Sequence, residues 1–221
     1  MNFESNRNAR TMLGKTHITL GMASALILTL PGSASAVVTA MAGGALGGWM
    51  PDLDARHRDK AANKVRVREP IFGKIVNAAC IAAFLVLDLV LGKGMCRYVV
   101  DHWGIPPACA LLALAILAYL GSQTEHRSFT HSFLGMALFC AAVWFFCRPA
   151  AIPFTIGYAS HLTADFFNFR GLQLFFPLKR KYSLKKCPSN GRVNQILFWI
   201  CLGLTVAAVT ALLAIAAFAA G

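Results

Sequence analysis

The chain has 221 residues, of which 57% are apolar and 14% charged, with a formal net charge of +12 and a mean hydropathy of +0.58. That composition excludes an ordinary water-soluble domain and points to an all-α, polytopic transmembrane helical bundle. In a soluble protein the positive charge would suggest nucleic acid, whereas in a membrane chain it follows from the enrichment of Lys and Arg in cytoplasmic loops.

Residues 1–13 are a polar tail, and an apolar run from Ile18 to Leu30 ends at Pro31-Gly32. With Ala34-Ser35-Ala36 behind it, this stretch imitates a secretory signal, and cleavage there would remove His17. A second apolar run, Val37 to Trp49, follows at once and suits a helical hairpin better. Gly47-Gly48-Trp49-Met50-Pro51-Asp52-Leu53-Asp54 then leads into a basic loop through Lys74. Apolar periodicity resumes at Ile75–Leu91, Gly92–Ile105 reads as a connection, and Pro107–Leu120 is the next apolar run. After the polar break Gly121–Ser128, His131 opens an apolar helix to Cys147, and Arg148-Pro149 reads as a tight turn. Ile152–Phe167 is the next helix, followed by a basic loop and a C-terminal transmembrane helix over 196–220. The whole chain, 1–221, reads as one integral-membrane domain with about five to seven membrane segments, the early ones short of the ~20 residues of a full span.

The seven Cys residues contain no C-x-x-C, and Cys80, Cys109, Cys140 and Cys201 lie within apolar runs, so they read as small buried hydrophobes. With the N-terminus cytoplasmic and every run crossing, all but three of the 21 Lys and Arg residues fall on the inside; Lys93, Arg97 and Arg148 are the exceptions.

The same topology draws the ionisable groups together. His161 and Asp165 stand four apart, on one face of an otherwise apolar helix. Such a pair at membrane depth is costly without partners, and function is its default explanation. His17, Asp52, Asp54, His126 and His131 also lie at the inner ends of their segments. Pro51-Asp52-x-Asp54 fits a tight turn that presents two carboxylates and sends the intervening Leu53 elsewhere. Imidazoles and carboxylates are the ligand set of zinc and related divalent ions. Seven ligands exceed the need of one tetrahedral ion and suit a pair that activates a water and stabilises a leaving oxygen. Taken singly, His17 reads as a cap, Asp52-x-Asp54 as a solvated turn and His126/His131 as loop residues; their shared face argues against that. His57 and His102 stay outside the set, and Asp88 reads as interfacial.

At these positions the chain resembles the YdjM-type family of membrane-bound metal-dependent hydrolases. The resemblance covers roughly residues 14–195 and rests on Lys15-Thr-His17-Ile-Thr-Leu-Gly21, Gly48-x-x-Pro51-Asp52-x-Asp54, His126-Arg127-Ser-Phe-Thr130-His131-Ser132 and Gly157-Tyr-x-x-His161-x-x-x-Asp165. Gly171-x-x-Leu174-Phe-x-Pro177 adds to it. It implies the bacterial inner membrane and a distant likeness to the zinc-dependent phospholipase C and single-strand nuclease superfamily, hence phosphoester hydrolysis. Two departures stand out: Asn168, where many members have Thr, and Asn194-Gln195, where a Glu is often seen.

The expectation is a metal-dependent hydrolase at the cytoplasmic face, with one or two divalent ions, zinc first, held by the seven residues. Asp54 and Asp165 are the carboxylates expected to serve catalysis, one of them as general base. Membrane lipids and an anionic or phosphorylated substrate are the expected partners. The basic loops 56–74 and 179–192 read first as topology signals, and second as charge that attracts an anionic substrate or anionic lipid heads. The alternative is a membrane scaffold or transporter with a structural metal or a proton-relaying His/Asp cluster. A nucleic-acid anchor lacks the interleaved aromatics that base stacking needs.

Overall fold

The computed structural model describes residues 14–54, 86, 88, 90, 94–169, 171–184 and 192–219. The polar tail, His57, the basic loop after Asp54, most of Ile75–Leu91 and residues 185–191 lie outside the described residues, as does the side chain of Asn194.

The described secondary structure is helical: α1 (Gly14–Thr29), α2 (Ala34–Trp49), a 3-10 turn (Met50–Asp54), α3 (Gly94–Asp101), α4 (Ile105–Gln123), a second 3-10 turn (Phe129–His131), α5 (Phe133–Phe146), α6 (Arg148–Phe166) and α7 (Arg192–Ala219). One isolated antiparallel bridge joins Leu172 to Tyr182. The hairpin of the first two runs is present, and Ser33 caps α2 by accepting from the Ala36 amide.

Three readings change. Gly92–Ile105 holds a helix, α3, whose first amides are taken by Asp88: Met95 and Cys96 donate to its two oxygens at 3.1 and 2.8 Å. Asp88 is therefore a fully buried cap instead of an interfacial side chain. Arg148-Pro149 is the first turn of α6, where Pro needs no amide donor, not a turn between helices. His131 ends a 3-10 turn, and α5 starts two residues later on a Ser132 cap.

Among the described residues α4 is the one helix both long and apolar enough to cross a membrane, and only 17% of its apolar window is buried. Leu112, Ile116 and Tyr119 point outward from it. At 16 residues each, α1 and α2 reach only about 24 Å, against a hydrocarbon core near 30 Å. α6 has the length, but its last two turns carry His161 and Asp165.

The packing of α1, α2 and α6 positions everything else. A Cβ on Gly44 would lie 2.4 Å from the Gly21 carbonyl oxygen, and one on Gly47 would lie 2.1 Å from that of Phe154. One on Gly48 would meet the His17 carbonyl oxygen at 2.3 Å. The backbones touch because α2 offers no side chains there, the small-residue packing of membrane helices. Beside the seam, Phe139, Phe154 and Tyr158 fill the core, with Leu53 packed against them.

Replacing Gly47 by Ala should cost about 1–3 kcal/mol, as backbone cannot yield like a side chain. Gly32→Ala, which meets nothing within 4 Å, is the control. Thermal unfolding in detergent should show a lower midpoint for the first and no change for the second; equal midpoints would refute the close contact.

Candidate metal centre

Each cluster reaches the site from a different element. His17 lies on the first turn of α1 and His161 and Asp165 on the last turns of α6. The glycine seam brings these helix ends together: the His17 and His161 rings stack at 3.8 Å. Pro51 cannot continue α2 as a regular helix, and the chain tightens into the 3-10 turn that carries Asp52 and Asp54. His126 and His131 come from the segment between α4 and α5, fixed to α6 where the Tyr158 hydroxyl donates to the Thr130 carbonyl. All seven residues therefore gather, in two sets whose ligand atoms lie within 4.8 Å of one another: Asp52, Asp54, His126 and His131, and His17, His161 and Asp165.

The two sets meet at one point. His161 Nε2 lies 3.2 Å from His131 Nε2. Asp165 Oδ2 is 3.5 Å from the His131 nitrogen and 3.8 Å from that of His161. Asp52 Oδ1 is 3.9 Å from each. The tautomers follow from the other side of each ring. His161 Nδ1 faces the Gly48 carbonyl oxygen at 2.7 Å, which only accepts, so the proton sits on Nδ1 and Nε2 carries a lone pair. His131 Nδ1 faces Asp54 Oδ2 at 3.1 Å, with the same result. With both rings neutral, two lone pairs and two carboxylate oxygens thus converge on one point. Only a cation or an added proton relieves that arrangement.

The edge lengths suit a tetrahedral ion. Ligand bonds of about 2.0–2.2 Å imply donor separations of about 3.3–3.6 Å, close to 3.2 and 3.5 Å and a few tenths below 3.8 and 3.9 Å.

Asp54 plays a different part from Asp52. It is fully buried, and its oxygens take donors from four groups: His126 Nδ1 at 2.7 Å, the Arg127 amide at 2.9 Å, the Thr130 hydroxyl at 2.8 Å and His131 Nδ1 at 3.1 Å. Burial alone would raise its pKa, but the adjacent His131 and the hydrogen bonds from His126 and His131 hold it well below the usual carboxylate range. His131 answers in kind: burial would lower it, yet Asp54 and Asp165 push it up to about 10.

Three residues outside the expected set build the site. Arg127, buried and in the left-handed region at φ 68, donates to Asp165 Oδ1 at 2.9 Å. Asn168 donates its amide to the same oxygen at 2.7 Å. Thr130 serves Asp54 as above. Arg127 reads in sequence as a topology charge; its place beside His126 in a conspicuously polar break was the available signal. His17 Nε2 approaches Asp165 Oδ1 at 3.6 Å, while His17 Nδ1 and His126 Nε2 are buried without a hydrogen-bond partner among the described residues. His102 stays apart, exposed and bonded to the Tyr98 carbonyl, and Gln195 is exposed at the start of α7.

Comparison with known proteins agrees with the motifs. Two relatives, the inner membrane protein YdjM of Escherichia coli (strain K12) and that of Shigella flexneri, are each 35% identical over 130 residues, covering 48% of this chain and 65% of theirs. The matched region thus spans slightly less than two thirds of those relatives. No solved structure matches. The model of the YdjM inner membrane protein family matches residues 12–221, nearly the full length, and the chain belongs to that family.

Proposed function

We propose that this protein is a multi-pass inner-membrane hydrolase that binds a divalent metal, zinc first, and cleaves a phosphoester or lipid-linked substrate at the cytoplasmic face. The observation that carries the reading is the meeting of His131 Nε2, His161 Nε2, Asp165 Oδ2 and Asp52 Oδ1 around one point. These four would hold the ion. The apolar, outward-facing α4 and the family's inner-membrane character support the location, and the sidedness of the basic loops supports a cytoplasmic N-terminus.

A divalent ion held there would supply Lewis acidity, polarising a substrate oxygen and lowering the pKa of a bound water towards ~7. The chain's own residues do the rest. Asp54 fixes the tautomer and ring plane of His131, and the Gly48 carbonyl does so for His161. Arg127 and Asn168 hold one oxygen of Asp165 so that the other faces the centre. Asp54 and Asp165 are thus engaged on both oxygens, and the base falls to Asp52, the half-buried carboxylate of the set. His126 donates from Nδ1 to Asp54 and so braces that carboxylate from outside the quartet, with its Nε2 lone pair free of a partner among the described residues.

Full chain purified in mild detergent should carry at least one divalent ion, measured by elemental analysis, and hydrolyse a phosphodiester or phospholipid. Both properties should be lost in His161→Ala and Asp52→Ala. Wild type without metal would sink the proposal; metal without hydrolysis of any phosphoester would leave the scaffold or transporter reading.

Asp54→Asn should retain the ion but bind it about 10–100-fold more weakly, read by competition with a chromogenic chelator. Affinity equal to wild type would refute the orienting role.

In chelator-stripped protein a proton replaces the cation, and His131 bridges Asp54 and Asp165 as imidazolium. Its pKa is raised, so the stability it contributes is complete below its ordinary 6.5 and is lost as pH climbs through about 10. The unfolding midpoint of stripped wild type should fall over that upper range more than that of stripped His131→Gln. Parallel pH profiles would contradict the bridge.

A further inference from the structure

The segment after α6 carries features the metal site does not use. It runs from Gly171 to Leu184 and is tied down on several sides. The Gln173 amide donates to the Arg127 carbonyl at 3.0 Å, the Leu184 amide to that of Phe166 at 2.9 Å, and the Phe133 amide to that of Leu174 at 2.9 Å. The Ser183 hydroxyl donates to the Asn168 carbonyl. The segment is thus fastened to the two residues, Arg127 and Asn168, that hold Asp165.

Its outer surface is apolar and basic at once. Phe175 is 50% and Leu178 62% exposed, and Lys179, Arg180 and Lys181 follow directly, all exposed. The apolar part is ordered: Phe175 packs edge-on against Phe133 at 5.6 Å and against Tyr182 at 5.4 Å. The Arg180 guanidinium lies over the Tyr182 ring at 5.4 Å. No acid occurs anywhere from Phe166 to Gly221, so nothing on this segment neutralises the three cations. A purely topological role needs charge alone. It does not account for exposed aromatic side chains fixed beside a stacked guanidinium.

We infer that residues 171–184 form a docking face for the anionic phospholipids of the membrane, with Phe175 and Leu178 entering the acyl boundary and Lys179, Arg180 and Lys181 holding headgroup phosphates. Aromatic side chains at headgroup depth and basic residues on an anionic leaflet are each favourable, and the cations act additively near the surface. The face rests on the membrane reading above and not on the metal. Through its bonds to the Arg127 and Asn168 carbonyls it sets the two residues that hold Asp165 beside the headgroup layer.

The test is native mass spectrometry of the full chain released from nanodiscs containing phosphatidylcholine and phosphatidylglycerol in equal amounts. Wild type should retain phosphatidylglycerol in preference. The variant K179Q/R180Q/K181Q should lose that preference about tenfold, with retained phosphatidylcholine and bound metal unchanged. The charge-conserving variant K179R/K181R should behave as wild type, which separates charge from folding damage. Undiminished phosphatidylglycerol in the glutamine variant, or equal loss of both lipids, would overturn the assignment. Bound metal is read in the same spectra, so failure of this inference and failure of the metal site are distinguishable.

Discussion

The contact among α1, α2 and α6 through glycine is the constraint on which the rest depends. A Cβ at Gly44, Gly47 or Gly48 would fall within 2.4 Å of a carbonyl oxygen on a neighbouring helix. With side chains there, the helix axes would move apart and the site would dissolve before any ligand changed. His17 sits on the turn of α1 whose carbonyl faces Gly48, and Gly48 in turn offers its own carbonyl to His161. The same close approach therefore packs the helices and sets a histidine tautomer. That coupling explains why a run as glycine-rich as Gly43-Gly44-Ala45-Leu46-Gly47-Gly48 persists in a helix, where each glycine costs about 1 kcal/mol relative to Ala.

The charges are arranged in two layers around that seam. Asp54 stands behind His126 and His131, taking a donor from each and two more from the chain between them. Asp165 stands beside them, with Arg127 and Asn168 on one oxygen and the imidazoles near the other. A buried carboxylate without such partners costs several kcal/mol, and removing one member of a buried pair costs about 3–5 kcal/mol. Arg127 is therefore structural before it is anything else. Its left-handed backbone is what turns the amide toward Asp54 while the guanidinium reaches Asp165. One residue thereby joins both layers.

Much of this was legible in the sequence, for a physical reason. Polar groups standing at the same end of successive apolar runs must meet if the runs pack antiparallel, and that logic needs neither distances nor an exact count of crossings. Pro51 after an apolar helix announced the turn, and Leu53 does pack away from the two acids. What spacing does not carry is direction within a turn. Asp52 and Asp54 look equivalent in the chain, yet one faces the imidazole nitrogens and the other backs them. Arg127 was counted with the loop charges because a cation in a polar break gives no sign of burial. Asp88 looked interfacial for the same reason, since its amide partners belong to a helix, α3, too short to produce a clear periodicity.

The departure at Asn168 bears on how the site is held. A Thr at this position would offer one rotatable hydroxyl, three residues after the Asp it serves. Asn offers a side-chain amide that donates to Asp165 Oδ1 at 2.7 Å, while its backbone amide bonds the Asp165 carbonyl at 3.1 Å. The donor to Asp165 Oδ1 is thus kept, while the backbone carbonyl of residue 168, which any side chain would leave in place, accepts from Ser183. Residue 168 therefore links the carboxylate, through its side chain, to the segment 171–184, through its backbone. On this geometry the departure conserves the donor to the carboxylate and leaves the backbone link to the segment as it would be with Thr.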